Sequence, residues 1–479
     1  MNKQNLKFKH YFTRLDQALT NLNYKFLYFI PDLYKIDLRE NKTPFKAAKF
    51  LSTLFCRSFL IQDLKKVKKA KICFISHYVG NKIADADDDF YYGNLFKNFK
   101  LKLPYYVLVI NHTNESLSDI KIKFKSSKIN RVFINANFNL LSHVSIYLKI
   151  TKEFLYFWII KFFQYKKIKL FKKIKINFNY KYFLNTKFTY KISNQLIKVL
   201  NMSKNLDYLM VTFEGHAFEK IIFNYCKKNR IKSFGYFFSI IREYKTNIYY
   251  NFSKDYQPDI LFTSGDIAKK YFIQNSPHKL VETLGCSKNL SKINGLNILK
   301  NKKNNKLTIL VCPEGLFSET VEMFELINNK ILSKENFQFI FRTHPVINIT
   351  NNLKKKLINK NIFFSKEADI QKDFKKSDFI LYSGSSVCIQ ATMHGVIPIN
   401  FKKKNDIFSL DPLYEVNRFI VHNKVDLKLK INSIFKKRHN KKLKNKIFSI
   451  KNYSSSYFKK INQNTLIKHV NIDQRIISN

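Results

Sequence analysis

Between Ser287 and Cys312 the sequence reads SKNLSKINGLNILKNKKNNKLTILVC, and the reading of the fold turns on this stretch. Its first twenty residues are polar, rich in Asn and Lys and interrupted by a glycine, the composition of a connecting segment. Its last six are β-branched and aliphatic, the composition of a buried strand. The same rhythm runs on either side of the break. Upstream, KICFISHYV (71–79), YYVLVIN (105–111), RVFINANF (131–138), LDYLMVTF (206–213), IKSFGYFF (231–238), DILFTS (259–264) and KLVETL (279–284) are separated by longer amphipathic stretches. Downstream, LTILVC (307–312) is followed by FQFIFRT (337–343), NIFFS (361–365), DFILYS (378–383), VIPINF (396–401) and RFIVHN (418–423). Strands alternating with helical crossovers predict parallel sheets, and the break predicts two of them, an α/β protein of two doubly wound halves with a cleft between. The expected division is an N-terminal helical extension (1–70), a first α/β domain (71–290), a linker (291–306), a second α/β domain (307–431) and a basic C-terminal helix or tail (432–479).

Composition narrows the class. The 479 residues are 45% hydrophobic, enough for two or three substantial cores. The chain holds 86 Lys and Arg against 34 Asp and Glu, a formal charge of +52, yet only ten of the 86 are Arg. Arg supplies the bidentate contacts of nucleic-acid readers, so no specific nucleic-acid partner is expected. Lys, Asn, Ile, Phe and Tyr are raised together while Gly, Pro, Ala and Trp are low, as an A+T-rich coding sequence produces; the charge still favours anionic surfaces and substrates. The six cysteines (56, 73, 226, 286, 312 and 388) form no CxxC pair, which fits a reducing cytoplasm. The N-terminus lacks the apolar core of a signal peptide. The longest apolar run, FLYFWIIKFF (154–163), is about half the ~20 residues that span a bilayer. The following QYKKIKLFKKIKINFNYKY (164–182) interleaves Lys with Phe, Ile and Tyr and contains no acid. It reads either as a segment lying on an anionic membrane surface or as an amphipathic stretch packed on its own domain. The expected location is cytoplasmic and peripheral to the inner face of the cytoplasmic membrane.

Chemistry-bearing residues gather at strand ends. FRTHP (341–345) places Arg342 and His344 before Pro345, side chains suited to phosphate oxygens. YSGSSVCIQATMHG (382–395) reads as strand, glycine turn and helix, with Gly384, Ser385 and Ser386 where free N–H groups bind anions. CPEGLFSE (312–319) sets Glu314 and Gly315 in a turn able to approach a nucleotide. In the first half, VTFEGHAFEK (211–220) offers Glu214 and His216 as general bases for an acceptor hydroxyl, with Glu219 opening the next helix. His77 and Tyr78 end the first strand as a second candidate acceptor site, followed by DADDD (85–89), which lacks the spacing of a dedicated metal loop. Six of the chain's ten glycines (Gly80, Gly215, Gly265, Gly285, Gly315 and Gly384) fall just past predicted strands, as turns or as points of close approach to a ligand. Walker A, GxGxxG, HExxH and GxSxG patterns are absent, and neither a metal nor a cofactor is expected.

With RTHP and GSSVCIQATMHG the layout resembles the two-domain GT-B glycosyltransferases of bacterial surface polysaccharide synthesis, built of two Rossmann-like domains. These two motifs are similar to those of transferases using CMP-activated sugars (sialic acid or Kdo) and of CDP-glycerol polymerising enzymes. FISHYVG, FEGHAFE, GYFFS and QPDILFTSG look like a group of surface carbohydrate biosynthesis proteins. The resemblance implies that Arg342, His344, Ser385 and Ser386 hold the donor phosphates, that Glu314 and Gly315 line the nucleotide pocket, and that Glu214 or His216 faces the acceptor. Two positions depart from the pattern: Gln390 stands where such transferases often carry Glu, and Phe238 where relatives often have His. The implied activity is metal-independent transfer of a sugar, from a CMP-sugar first, to a surface polysaccharide or lipid-linked glycan. A sugar-nucleotide epimerase on the same fold and a non-catalytic polyanion-binding protein are the rival readings.

Overall fold

A computed structural model describes residues 59–80, 86–97, 99–101, 103–113, 115–135, 140–164, 180–241, 254–275, 280–288, 295–297, 306–344, 347, 350–367, 369–402 and 411–477. Fourteen strands form two sheets. The first contains β1 (Phe59–Ile61), β2 (Ile72–Tyr78), β3 (Tyr105–Asn111), β4 (Arg131–Ile134), β5 (Tyr208–Thr212), β6 (Lys232–Phe237), β7 (Ile260–Thr263) and β8 (Val281–Thr283), in the order β1-β4-β3-β2-β5-β6-β7-β8. The second contains β9 (Leu307–Val311), β10 (Phe337–Phe341), β11 (Ile362–Phe364), β12 (Phe379–Tyr382), β13 (Ile397–Phe401) and β14 (Phe419–Val421), in the order β11-β10-β9-β12-β13-β14. Every pairing is parallel except β1 with β4.

These strands are near-continuous apolar runs because helices cover both faces of each sheet. In both sheets the chain winds outward from its first parallel strand and then reverses. The crevice therefore opens between β2 and β5 in the first half and between β9 and β12 in the second. Ile75 pairs with Val211 and Leu381 with Val311 at those crossings, so the loops leaving β2, β5, β9 and β12 border the crevices where sheets of this kind bind ligands.

Three features depart from the sequence reading. Phe59–Ile61, within the expected helical extension, is an edge strand paired in register with Val132–Ile134. The helix Lys424–Lys436 runs through the boundary drawn at 431, because Leu427, Ile431 and Ile434 form one buried stripe on the second core. The segment expected as one basic helix or tail (432–479) instead forms, up to residue 477, further helices docked on both halves. Helix Lys441–Ser455 packs on the second half, and helix Gln463–Ile477 docks on the first, where the Tyr208 hydroxyl donates to Val470 O at 2.8 Å and Lys468 and His469 pair with Glu282 at 2.6 and 3.0 Å.

Between those helices the strap Ser456–Asn462 crosses the carboxyl ends of β7 and β8. Asp266 N–H donates to Ser456 O, Lys459 N–H to Ser264 O, Cys286 N–H to Lys459 O and Asn462 N–H to Leu284 O. A Cβ on Gly265 would lie 2.1 Å from Tyr457 O, and one on Gly285, whose φ is +90°, would lie 2.3 Å from Lys460 O. These two glycines thus admit the chain's own strap. At its centre the fully buried Tyr457 hydroxyl reaches Pro412 O of the second half at 2.6 Å and Ile241 O of the first at 3.2 Å.

Candidate functional site

Strand alternation sends His77 and Tyr78 to opposite faces of the first sheet. His77 shares the face of Cys73 and Ile75, where it is 4% exposed. Its Nδ1 lies 2.7 Å from Nε2 of His112, at the end of β3, and its Nε2 lies 2.8 Å from the Thr212 hydroxyl, at the end of β5. The His216 ring centres 6.2 Å away. Burial, and then the His112 and His216 imidazoles, push the His77 pKa well below its ordinary value, so the ring is neutral. A neutral imidazole donates from one nitrogen and accepts at the other, so the Thr212–His77–His112 chain carries a consistent direction of hydrogen bonding in either tautomer. Tyr78 takes the other side: its hydroxyl donates to Glu115 at 3.0 Å and accepts from Lys123 at 3.0 Å, away from the histidines.

The turn after β5 is held by Glu219. Its buried carboxylate accepts from the backbone N–H groups of Glu214, Gly215 and His216 at 2.9–3.1 Å; burial pushes its pKa up and those N–H bonds oppose the shift. The second half repeats the device. FEGHAFE (213–219) and PEGLFSE (313–319) share the spacing, and the buried Glu319 accepts from Glu314 N–H at 3.0 Å. Glu219 and Glu319 thereby present Glu214, His216 and Glu314 half-buried at the carboxyl edges of their sheets.

In the second half Gly384 and Ser385 are buried in the turn after β12, and Ser386 starts the helix Val387–Met393. The Ser385 hydroxyl lies 3.4 Å from Val387 N. His344, past the end of β10, is half-buried, with its pKa lowered by burial and by Lys288 and partly restored by Glu314. Gln390 reaches Lys288 O at 3.5 Å. Pro345 lies outside the described residues. Arg342 is used differently from the phosphate contact expected of it. Its Nη1 bonds to Asp373 at 2.7 Å, Glu367 O at 2.9 Å and Ser365 at 3.2 Å, and Asp373 is 2% exposed. It braces β10 against the loop after β11.

A chain of contacts joins the two clusters. The His77 ring lies 4.9 Å from that of Tyr91, and Tyr91 lies 5.1 Å from Phe238. The Lys288 ammonium sits 3.9 Å from the centre of the Phe238 ring. Beyond Lys288 the link to His344 is electrostatic: after burial, the Glu314 charge raises and the Lys288 charge lowers the pKa of His344. Phe238, at the position where histidine was noted in relatives, thus serves as an aromatic platform for a cation. Tyr91, His112, Thr212 and Lys288 were not found from sequence. His112 closes YYVLVINH beside the strand of His77, a signal that could have been used; Lys288 is one lysine among many in the polar stretch and carries no local signal.

The acidic run is internal scaffold. Asp89 accepts from the Ser76 hydroxyl at 2.6 Å and from Tyr91 and Tyr92 N–H at 2.9 Å, and Asp87 from the Ser127 hydroxyl and Lys128 N–H; Asp85 lies outside the described residues. Among the described residues no group of three or more His, Cys, Asp or Glu is arranged to hold a metal ion.

No protein-family model matches the sequence, and no curated protein matches it significantly. Solved structures do. The S. aureus MnaA–UDP complex covers 86% of this chain and 98% of its own at 13% identity, with a TM-score of 0.50. A Methanocaldococcus jannaschii UDP-GlcNAc 2-epimerase in complex with UDP-GlcNAc and UDP covers 77% and 94% at 16% identity and TM-score 0.45. A Rickettsia africae glycosyltransferase covers 86% and 99% at 14% identity and TM-score 0.43. At such identities the match to MnaA speaks for architecture, two Rossmann-like α/β sheets facing each other in the GT-B arrangement.

Proposed function

We propose, with the GT-B arrangement as premise, that this chain is an enzyme acting on a nucleotide sugar in the cleft between its two sheets. The finer reading is a metal-independent glycosyltransferase that passes a sugar to a surface polysaccharide or lipid-linked glycan. The observation that carries the proposal is the run of ring and cation contacts from His77 through Tyr91 and Phe238 to Lys288, whose charge also lowers the pKa of His344; it supports reading the two strand-end clusters as walls of one site.

In this reading the donor phosphates lie against Ser385, Ser386, His344 and Lys288, where charge on the leaving phosphate is met by N–H groups and a cation. Glu314, Gly315, Gly384 and Gln390 line the nucleotide. Glu214 or His216 removes the acceptor proton. The neutral His77, held between Thr212 and His112, positions this edge. Arg342 stiffens the wall behind His344. CMP-sugars remain the first donors to try on the motif resemblance, and UDP joins them because the MnaA structure is a UDP complex. The second reading is a nucleotide-sugar epimerase. It is favoured by a half-buried carboxylate at the carboxyl edge of each sheet, Glu214 and Glu314, presented by the same buried-Glu device in each half.

The test is thermal stabilisation by CMP, CDP, UDP, GDP and their sugar conjugates, beside His344→Ala and Lys288→Met. A nucleotide at about 100 times its Kd stabilises the native state by about 2.7 kcal/mol, with no acceptor needed. A shift selective for one nucleotide and lost in both variants is expected. Equal stabilisation of all three proteins by polyanions alone would refute the proposal. Incubation with the selected sugar conjugate then separates the readings, since an isomerised product without acceptor identifies an epimerase.

A further inference from the structure

The helix Leu140–Gln164 is antiparallel to the helix Tyr180–Leu200, with His143 beside Lys191 (3.4 Å) and Tyr147 beside Lys187 (2.5 Å). The second helix descends to the start of β5, so the first one climbs the opposite way. Phe188, 6.3 Å from the His112 ring, marks the level of the carboxyl edge. At 1.5 Å per residue, Trp158 lies roughly 16 Å further along the helix than Tyr147. The far end of this helix therefore projects past the sheet on the side where the acceptor cluster lies.

Its two faces differ. Ile146, Ile150 and Phe157 are buried, whereas Val144, Leu148, Leu155 and Ile159 form an exposed stripe at helical spacing, 49–67% accessible, joined near the tip by Tyr156 and Trp158. Lys152 flanks it, Lys149 lies over the Tyr190 ring on the neighbouring helix at 4.2 Å, and residues 164–182 follow in the sequence with seven lysines and no acid. Among the described residues no helix is long and apolar enough to cross a membrane.

We propose that this helical arm docks on an anionic bilayer, its apolar stripe at the headgroup boundary and the exposed Lys152 beside it on lipid phosphates. Charge decides against two other occupants. A second copy would bring two such lysine runs together, and residues 1–58 carry eleven basic residues against four acidic ones. An anionic surface neutralises what either alternative would oppose. The arm then holds the acceptor edge of the cleft, with His112 at its base, against the membrane face. This rests on the proposed function only for the nature of the acceptor; docking itself is independent of it.

Trp158 is the single tryptophan of the chain, so its emission reports on the arm alone. The full-length protein is titrated with phosphatidylcholine vesicles, with phosphatidylcholine–phosphatidylglycerol vesicles, and with the latter carrying brominated acyl chains. A blue shift and bromine quenching with the anionic vesicles only are expected. The double variant Leu155→Gln/Ile159→Gln should partition at least about tenfold more weakly, since each methylene withdrawn from the interface weakens binding about fourfold. Both side chains are exposed, so its melting temperature and nucleotide-induced shift should match the parent. Binding to vesicles with Trp158 unchanged would overturn the proposal, as would emission already blue-shifted without lipid or a shift that tracks protein concentration. Failure of the nucleotide reading would leave the vesicle result standing, and the reverse also holds.

Discussion

Replacing Gly285 by alanine strains the molecule where strap and first sheet touch. With φ at +90°, any L side chain there costs about 1–2 kcal/mol. The new methyl would also lie 2.3 Å from Lys460 O, below the 3.0 Å that real Cβ contacts essentially never breach. The strap must lift, loosening the bonds from Cys286 N–H to Lys459 O and from Asn462 N–H to Leu284 O, at 2.9 and 2.8 Å, each worth about 1 kcal/mol. The expected loss is about 3–4 kcal/mol. Gly295→Ala is the control: its φ is +91° but nothing lies within 4 Å of the added carbon, so only the conformational part, about 1–2 kcal/mol, applies. Urea unfolding followed by circular dichroism reads the difference. With a slope of about 3 kcal/mol/M, Gly285→Ala should lower the midpoint by about 1 M and Gly295→Ala by half of that or less. Equal midpoints for the two variants would show that the strap is not seated on Gly285.

Arg342→Met should destabilise by about 3–5 kcal/mol, because it leaves the buried Asp373 without its cation, while the surviving folded protein keeps its nucleotide-induced shift. A stable variant that has lost the shift would make Arg342 a ligand. Acid titration follows from His77. Its folded pKa is depressed, so the unfolded state takes up a proton that the folded state refuses; stability is intact above about 6.5 and falls as the pH drops below it, by up to about 1.4 kcal/mol per pH unit. In His77→Gln this slope should shrink by one proton's worth, and superimposable stability–pH curves would contradict the neutral, buried ring.

The sheets were legible because buried parallel strands are written as unbroken apolar runs, and each run read from sequence corresponds to one of β2–β14. Phe59–Ile61 escaped because three residues on an antiparallel edge leave no periodicity. Glu214, His216, Glu314, His344 and the serine turn stand out in the sequence because they follow apolar runs, and they lie past the carboxyl ends of β5, β9, β10 and β12. What it missed depended on distant partners. Gly265 and Gly285 could be seen as points of close approach, but nothing nearby says that Tyr457 and Lys460, 192 and 175 positions later, do the approaching. Arg342 reads as a phosphate ligand until Asp373 is known to lie 2.7 Å away. Strand parity alone separates Tyr78 from His77, since neighbouring residues on a strand point to opposite faces.

The return of the C-terminal helix bears on how the chain is made. Tyr208 and its partner Val470 are 262 residues apart and the first sheet ends at Thr283, so a ribosome adding about 5–20 residues per second completes that sheet roughly 9–37 s before the helix that covers it emerges. Through that interval the surface around Tyr208 and Glu282 is left open, in a chain whose long-range pairings already make folding slow. An early stop that spares every strand of both sheets would still deliver an unfinished first half to the chaperones.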